Sequence, residues 1–499
     1  MGDKIKYKIP DVSGRLGHGS RSNASVGVLT KRCNNKIKYK ILLALLFTTL
    51  LSTNGVAQTH QFSKIVVSPN GHYLMTENGK PFFWLGDTGW LLFLKLNREE
   101  ADQYLEDRSK KGFNVIQVMV IHSPGEVNVY GDSALTNNNV ATPKTTPGDN
   151  FKNKKEYDFW DHVDYIIDKA ADKGLYIALV PVWGNNVKAG LVNQQQAKIY
   201  AAWLANRYKN KPNIIWINGG DIPGSDSINV WNTIGETLDS IDKNHLITFH
   251  PRGRTISSIW FQNEKWLKMN MFQSGHRTYA QDTTSSEPFR FGEDNWKYVN
   301  LDFNKKPVKP VLDGEPSYEG IPHGLHDTTL PRWKAKDVRR YGYWSVFAGA
   351  AGYTYGDNAV MQFRKAGEKI GAYGAKDYWF DAINDPGAGQ MIWLKNLMLS
   401  KPYFDRIPDQ ALVADQGKRY DYIAATRGED YAFFYDYNGR NFKVDMKDLS
   451  FGKVRASWYD PRNGNKSQIG IFPTDGIREF NPPIEKKDGN DWVLILEKS

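Results

Sequence analysis

Between residue 82 and about residue 357, short apolar runs alternate with stretches whose apolar positions recur every three to four residues. The apolar runs are Phe82–Leu85, Asn114–Val120, Tyr176–Val180, Asn213–Ile217, Leu246–Phe249, Met269–Phe272, Pro310–Leu312 and Gly352–Tyr355, read as eight strands. Helical stretches span Asn97–Lys111, Asp158–Lys173, Gln194–Tyr208 and Lys334–Phe347; Asn97 is placed to cap the first of them. In the second, Trp160, Val163, Ile166, Ile167 and Ala170 form one apolar stripe. Strands that are apolar throughout are buried on both faces, which predicts a parallel sheet covered by helices. Eight such units favour a closed (β/α)8 TIM-type barrel. An open doubly wound sheet is the rival, but no glycine-rich phosphate loop follows the first strand.

Beyond residue 400 the period changes. Runs at 422–426, 431–435, 454–459 and 492–496 are separated by turn dipeptides such as Asn438-Gly439 and Asn463-Gly464, predicting a small antiparallel β-sandwich. The expected organisation is a leader over 1–57, a barrel over 58–400 and a β-sandwich over 401–499.

The leader is read from its own pattern. Lys31, Arg32, Lys36, Lys38 and Lys40 precede the apolar run Ile41–Leu51, and small residues lead to Gly55, Val56 and Ala57. A basic flank, a short apolar run and a small-residue exit describe a signal peptide, so export to the periplasm or the exterior is expected. The run is short for a membrane span, so none is expected in the mature protein. This leader also accounts for the net charge of +10. Residues 1–57 hold ten Lys and Arg against two Asp, and the remainder carries 55 basic and 53 acidic residues. A balanced mature chain excludes a nucleic-acid partner as the working reading. Cys33, the single cysteine, lies upstream of the apolar run, so the mature chain has neither disulfides nor cysteine chemistry.

Aromatic residues make up 13% of the chain, with 16 Trp and 26 Tyr. Sugar rings stack on such faces, although a large core uses the same residues. Barrel sites of this type lie at the carboxyl ends of the strands. The first strand leads to Asp87 and Trp90, the second to His122, the third to Trp183 and Asn185, and the fourth to Asp221. The fifth leads to His250 and Arg252, the sixth to Gln273 and His276, the seventh to Asp313 and Glu315, and the eighth to Tyr355. Acids, amides, imidazoles and aromatics suit hydroxyl-rich rings. Glycoside hydrolysis needs two carboxyl groups flanking the scissile bond. Asp221 and Glu315 end strands on opposite sides of the ring, each beside glycine. Asp221 could instead form a turn before Ile222-Pro223-Gly224, and Asp313 and Glu319 compete with Glu315 on pattern alone. The three histidines come from different strands without a close ligand pair, so no metal or other cofactor is expected. No Gly-x-Ser-x-Gly elbow occurs, which argues against an esterase.

Three segments resemble a known family: Val67–Trp90, Trp216–Asp221 and Asp313–Glu319 are similar to apiosidase-like glycoside hydrolases, family 140. The likeness runs over roughly residues 64–499. The segment Trp458–Gly464 resembles the collagen-binding-type β-sandwich that follows this barrel. The resemblance implies Asp221 as acid/base and Glu315 as nucleophile. It brings Tyr318, within the third segment, into the substrate-contact set. It further implies a polysaccharide substrate carrying apiose, the side chains of the pectin rhamnogalacturonan II. Another furanosidase, such as an arabinofuranosidase, and a non-catalytic glycan-binding protein are the rival readings.

Overall fold

A computed structural model describes residues 62–283, 289–369, 371–449 and 451–499; the expected leader over 1–57 lies outside them. The eight expected barrel strands form: β1 (Trp84–Thr88), β2 (Val115–Ile121), β3 (Tyr176–Val182), β4 (Ile214–Ile222), β5 (Ile247–Pro251), β6 (Asn270–Gln273), β7 (Val311–Asp313) and β8 (Gly352–Tyr355). They pair in parallel in the order β5-β4-β3-β2-β1-β8-β7-β6. The ring is nearly closed between β5 and β6, where the Lys268 N–H bonds the Ile247 carbonyl at 2.9 Å and Thr248 Oγ1 bonds the Met269 carbonyl at 2.8 Å. A short ninth strand, Thr255–Ile256, pairs antiparallel with β6. Every residue of β2 and β3 is buried, as an apolar run enclosed by helices must be.

The covering helices start where side chains can satisfy their free N–H groups. Reciprocal capping boxes open α1 (Arg98–Lys110) with Asn97 and Glu100, α2 (Phe159–Asp172) with Asp158 and Asp161, and α3 (Gln194–Tyr208) with Asn193 and Gln196. Further along lie α4 (Ile228–Ile241), α5 (Trp296–Asp302), α6 (Ala335–Phe347) and α7 (Pro386–Leu399). Gln117 crosses the barrel interior, its Nε2 donating to the Gly314 carbonyl at 2.9 Å, so β2 braces the backbone just before Glu315.

The C-terminal region is an antiparallel sheet containing β9 (Ile423–Arg427), β10 (Tyr431–Asp436), β11 (Lys453–Tyr459), β12 (Lys466–Pro473) and β13 (Trp492–Lys498). A short strand, Ile407–Pro408, precedes β9, and the order continues β9-β10-β13-β11-β12. A ribbon of Phe442–Asp445 and Ile477–Phe480 covers one face, with Ile423, Phe434, Phe442, Val454 and Leu494 in the core between. The other face joins the barrel's own core through Tyr431, Phe433 and Tyr435. There Tyr343 of α6 stacks on Tyr435 at 4.5 Å, and Trp296 of α5 stacks on Tyr422 at 4.3 Å. Arg339 grips Asp491 through two bonds of 2.8 and 2.7 Å, both groups being buried, and Tyr435 adds a third to Asp491 at 3.0 Å.

Candidate active site

A cavity of about 570 Å³ opens at the carboxyl end of the barrel, and both Asp221 and Glu315 line it. Asp221 is delivered by an irregular end to β4. Gly219, Gly220 and Asp221 take φ values of 89°, 110° and 51° in succession, and the register with β5 slips between Gly219 and Ile222. This bulge adds backbone without a ladder partner and turns Asp221 into the cavity. Only glycine fits at 220, because a Cβ there would stand 2.5 Å from the Trp183 ring. Glu315 arrives differently, two residues past the end of β7. Just before it, Gly314 packs closely against the Met271 side chain, where a Cβ would stand 2.4 Å from the sulfur.

Two imidazoles hold the Glu315 carboxylate. His276 Nε2 lies 3.1 Å from Oε1, and His250 Nε2 lies 3.2 Å from Oε2, a contact whose N–H is not aligned for a full hydrogen bond. The Asp221 backbone N–H donates to His250 Nδ1 at 3.3 Å, which assigns the ring proton to Nε2, facing Glu315. One imidazole therefore links the backbone of one carboxyl residue to the side chain of the other.

The surroundings drive the two carboxyls apart. Asp221 is exposed to the cavity, but its walls strip away much of its hydration. That desolvation first, and the negative charge of Glu315 second, raise its pKa to about 6, against the pull of His250, His276 and the Gly253 N–H. Burial would raise Glu315 too, but the His250 and His276 contacts outweigh it and hold the group down at about 2. Near pH 5 the cavity thus contains one protonated and one ionised carboxyl, the division of labour that acetal cleavage requires.

Of the substrate-contact residues expected from the sequence, Trp90, His122, Trp183, Asn185, Arg252, Gln273, His276 and Tyr318 line the cavity. Three expectations need correction. Asp87 is wholly buried on the outer side of the barrel, accepting from Tyr104 Oη and Arg108 Nε at 2.6 Å each. Tyr355 is also fully buried and points outward, its hydroxyl donating to Glu319 at 2.7 Å. His250 lies beneath the cavity floor, packed against Trp90 and Trp183 with ring centroids 5.5 and 5.9 Å away, and contacts Glu315 without lining the cavity. The competing acids are separated by position. Asp313 is buried among Ser274 and Asn295, Glu319 holds Tyr355 Oη and the Gly387 N–H, and neither lines the cavity.

Met119, Arg277, His326, Met361, Gln362 and Tyr373 also line the cavity and were not anticipated. Most come from the long connections around residues 314–334 and 356–378, where no period marks a side chain's direction. Length was the available signal, since long barrel loops carry function.

The barrel and its carboxyl pair define a glycoside hydrolase, and the relatives agree. A solved structure described as a glycoside hydrolase is 51% identical, covering 88% of this chain and 97% of its own, with a TM-score of 0.82. A glycoside hydrolase family 5 structure from Bacteroides vulgatus is 46% identical over 87% of this chain and 94% of its own, with a TM-score of 0.81. A further Bacteroides vulgatus structure, at 15% identity and a TM-score of 0.60, shares the fold alone. Residues 68–405 match the family model "Apiosidase-like, catalytic domain", and the chain belongs to that family. Residues 407–497 match "Putative collagen-binding domain of a collagenase". No curated protein matches the chain. Membership of an enzyme family sets aside the reading as a non-catalytic glycan-binding protein.

Proposed function

We propose that this glycoside hydrolase is exported and removes apiose from the side chains of the pectin rhamnogalacturonan II by a retaining mechanism. Asp221 is the acid and base, and Glu315 the nucleophile. The opposite ionisation states of two carboxyls sharing one cavity carry this reading. The sugar follows from the family's apiosidase-like character.

In the first step the Asp221 carboxylic acid gives its proton to the leaving oxygen while a Glu315 oxygen bonds the anomeric carbon and the C–O bond breaks. Glu315 loses its charge on forming the ester. The charge repulsion that helped raise Asp221 disappears with it, so Asp221 becomes the weaker acid's opposite, a group content to stay ionised. It is then placed to take a proton from water as that water attacks the anomeric carbon and frees Glu315.

The rate should be bell-shaped in pH, with an acid limb set by Glu315 near 2 and an alkaline limb set by Asp221 near 6. Glu315→Gln should lose kcat by roughly 10³-fold or more while remaining folded. Proton NMR of the first-formed product from isolated rhamnogalacturonan II should show apiose with its anomeric configuration retained. Inverted product would remove Glu315 as nucleophile, and release of arabinose in place of apiose would remove the proposed sugar.

A further inference from the structure

After β8 the chain passes over the cavity, and Tyr373 sits in the turn Ala372–Gly374 with φ 52° and ψ 30°. A non-glycine residue held left-handed is strained and persists only where its surroundings dictate it. Here they do. Asn358 Nδ2 donates to the Tyr373 carbonyl at 3.1 Å, and Arg332 Nη2 donates to the Gly374 carbonyl at 2.7 Å. The Gln362 amide clamps Ala372 from both sides, accepting from its N–H at 2.7 Å and donating to its carbonyl at 3.0 Å. The ring so placed is half-buried, lines the cavity and lies 5.7 Å from the His326 ring. Its hydroxyl feels both reacting groups: burial first, then the charges of Glu315 and Asp221, raise its pKa.

We propose that Tyr373 is a specificity-determining residue, its phenol donating a hydrogen bond to a hydroxyl of the sugar ring held between Asp221 and Glu315. The clamped turn makes the phenol a fixed wall, so the bond needs no rearrangement when substrate enters. The inference rests on Asp221 and Glu315 being the reacting pair and is independent of which sugar is cleaved.

The test is Tyr373→Phe, which keeps the ring and removes the donor, assayed on the p-nitrophenyl glycoside that the wild-type enzyme cleaves fastest and on its monodeoxy analogues. On the parent glycoside kcat/KM should fall about 10- to 100-fold with an unchanged melting temperature. On the analogue lacking the contacted hydroxyl, variant and wild type should be equal. Parent activity within twofold of wild type, or the same loss on every analogue, would overturn the proposal. Glu315→Gln serves as the parallel arm. Activity retained there removes the reacting pair itself, whereas a dead Glu315 variant with a wild-type-like Tyr373→Phe removes only the role of Tyr373.

Discussion

His250 touches both halves of the reacting pair from beneath two indole rings, through the Asp221 N–H on one side and Glu315 Oε2 on the other. Replacing it by alanine leaves the substrate-facing surface intact but takes one of two imidazole contacts from Glu315. The Glu315 pKa should rise, so the acid limb of the pH–rate profile should move upward and kcat should fall at pH 4. An acid limb that stays in place would show that His250 has no hold on the nucleophile. The same residue shows where sequence reading stops. Strand ends identified Asp87, His250 and Tyr355 as site candidates, but an end does not reveal on which side of the wall a side chain lies. Tyr355 and Asp87 are register partners on β8 and β1, and both face the outer layer, towards Glu319 and Arg108. Strand alternation decides that parity, and one residue of slip reverses it.

At the level of elements, the bulge closing β4 does the positioning. An alanine at Gly220 meets two obstacles at once, a φ of 110° and an indole carbon 2.5 Å from the new Cβ. Gly220→Ala should lower stability by roughly 1–3 kcal/mol and kcat by at least about tenfold, read by thermal melting and steady-state rates. Near-normal values of both would mean that the bulge does not aim Asp221. All eight barrel strands, and four of those in the C-terminal sheet, were legible because each carries a largely buried apolar run. The helices α1, α2, α3 and α6 were legible too. By contrast, α7 spreads its apolar residues around its axis and leaves no stripe to read. β12 carries an exposed, mixed surface as a sheet edge, so it lacks the alternation that marks a half-buried strand. The bulge itself was visible only as two glycines; the three successive left-handed residues emerge from how β4 meets β5.

Across the whole molecule, Asp313, Glu319 and Asp436 are each raised to about 7, in every case first by burial. An acid whose folded pKa lies above its unfolded value stabilises below the unfolded value, near 4, and loses that contribution as pH rises through about 7. His162 works the other way. Burial lowers it to about 4, so its contribution is present above about 6.5 and lost as pH falls through 4. Asp161 and Asp221, raised to about 6, act in the same direction, so the raised acids predict that melting temperature declines as pH rises from about 4 to about 7. Asp436→Asn, far from the cavity and with one carboxyl oxygen unpartnered, should flatten part of that decline without altering kcat. A decline as steep as in the wild type would exclude Asp436 as a contributor. A last consequence comes from the Arg339–Asp491 pair and the aromatic stacks beside it. A barrel cut from its sheet would keep an arginine with its mate gone and bare the faces of Tyr343 and Trp296 to water. Two segments that match separate family models are therefore one inheritance in practical terms: neither can be shuffled to a new neighbour without first rewriting the seam.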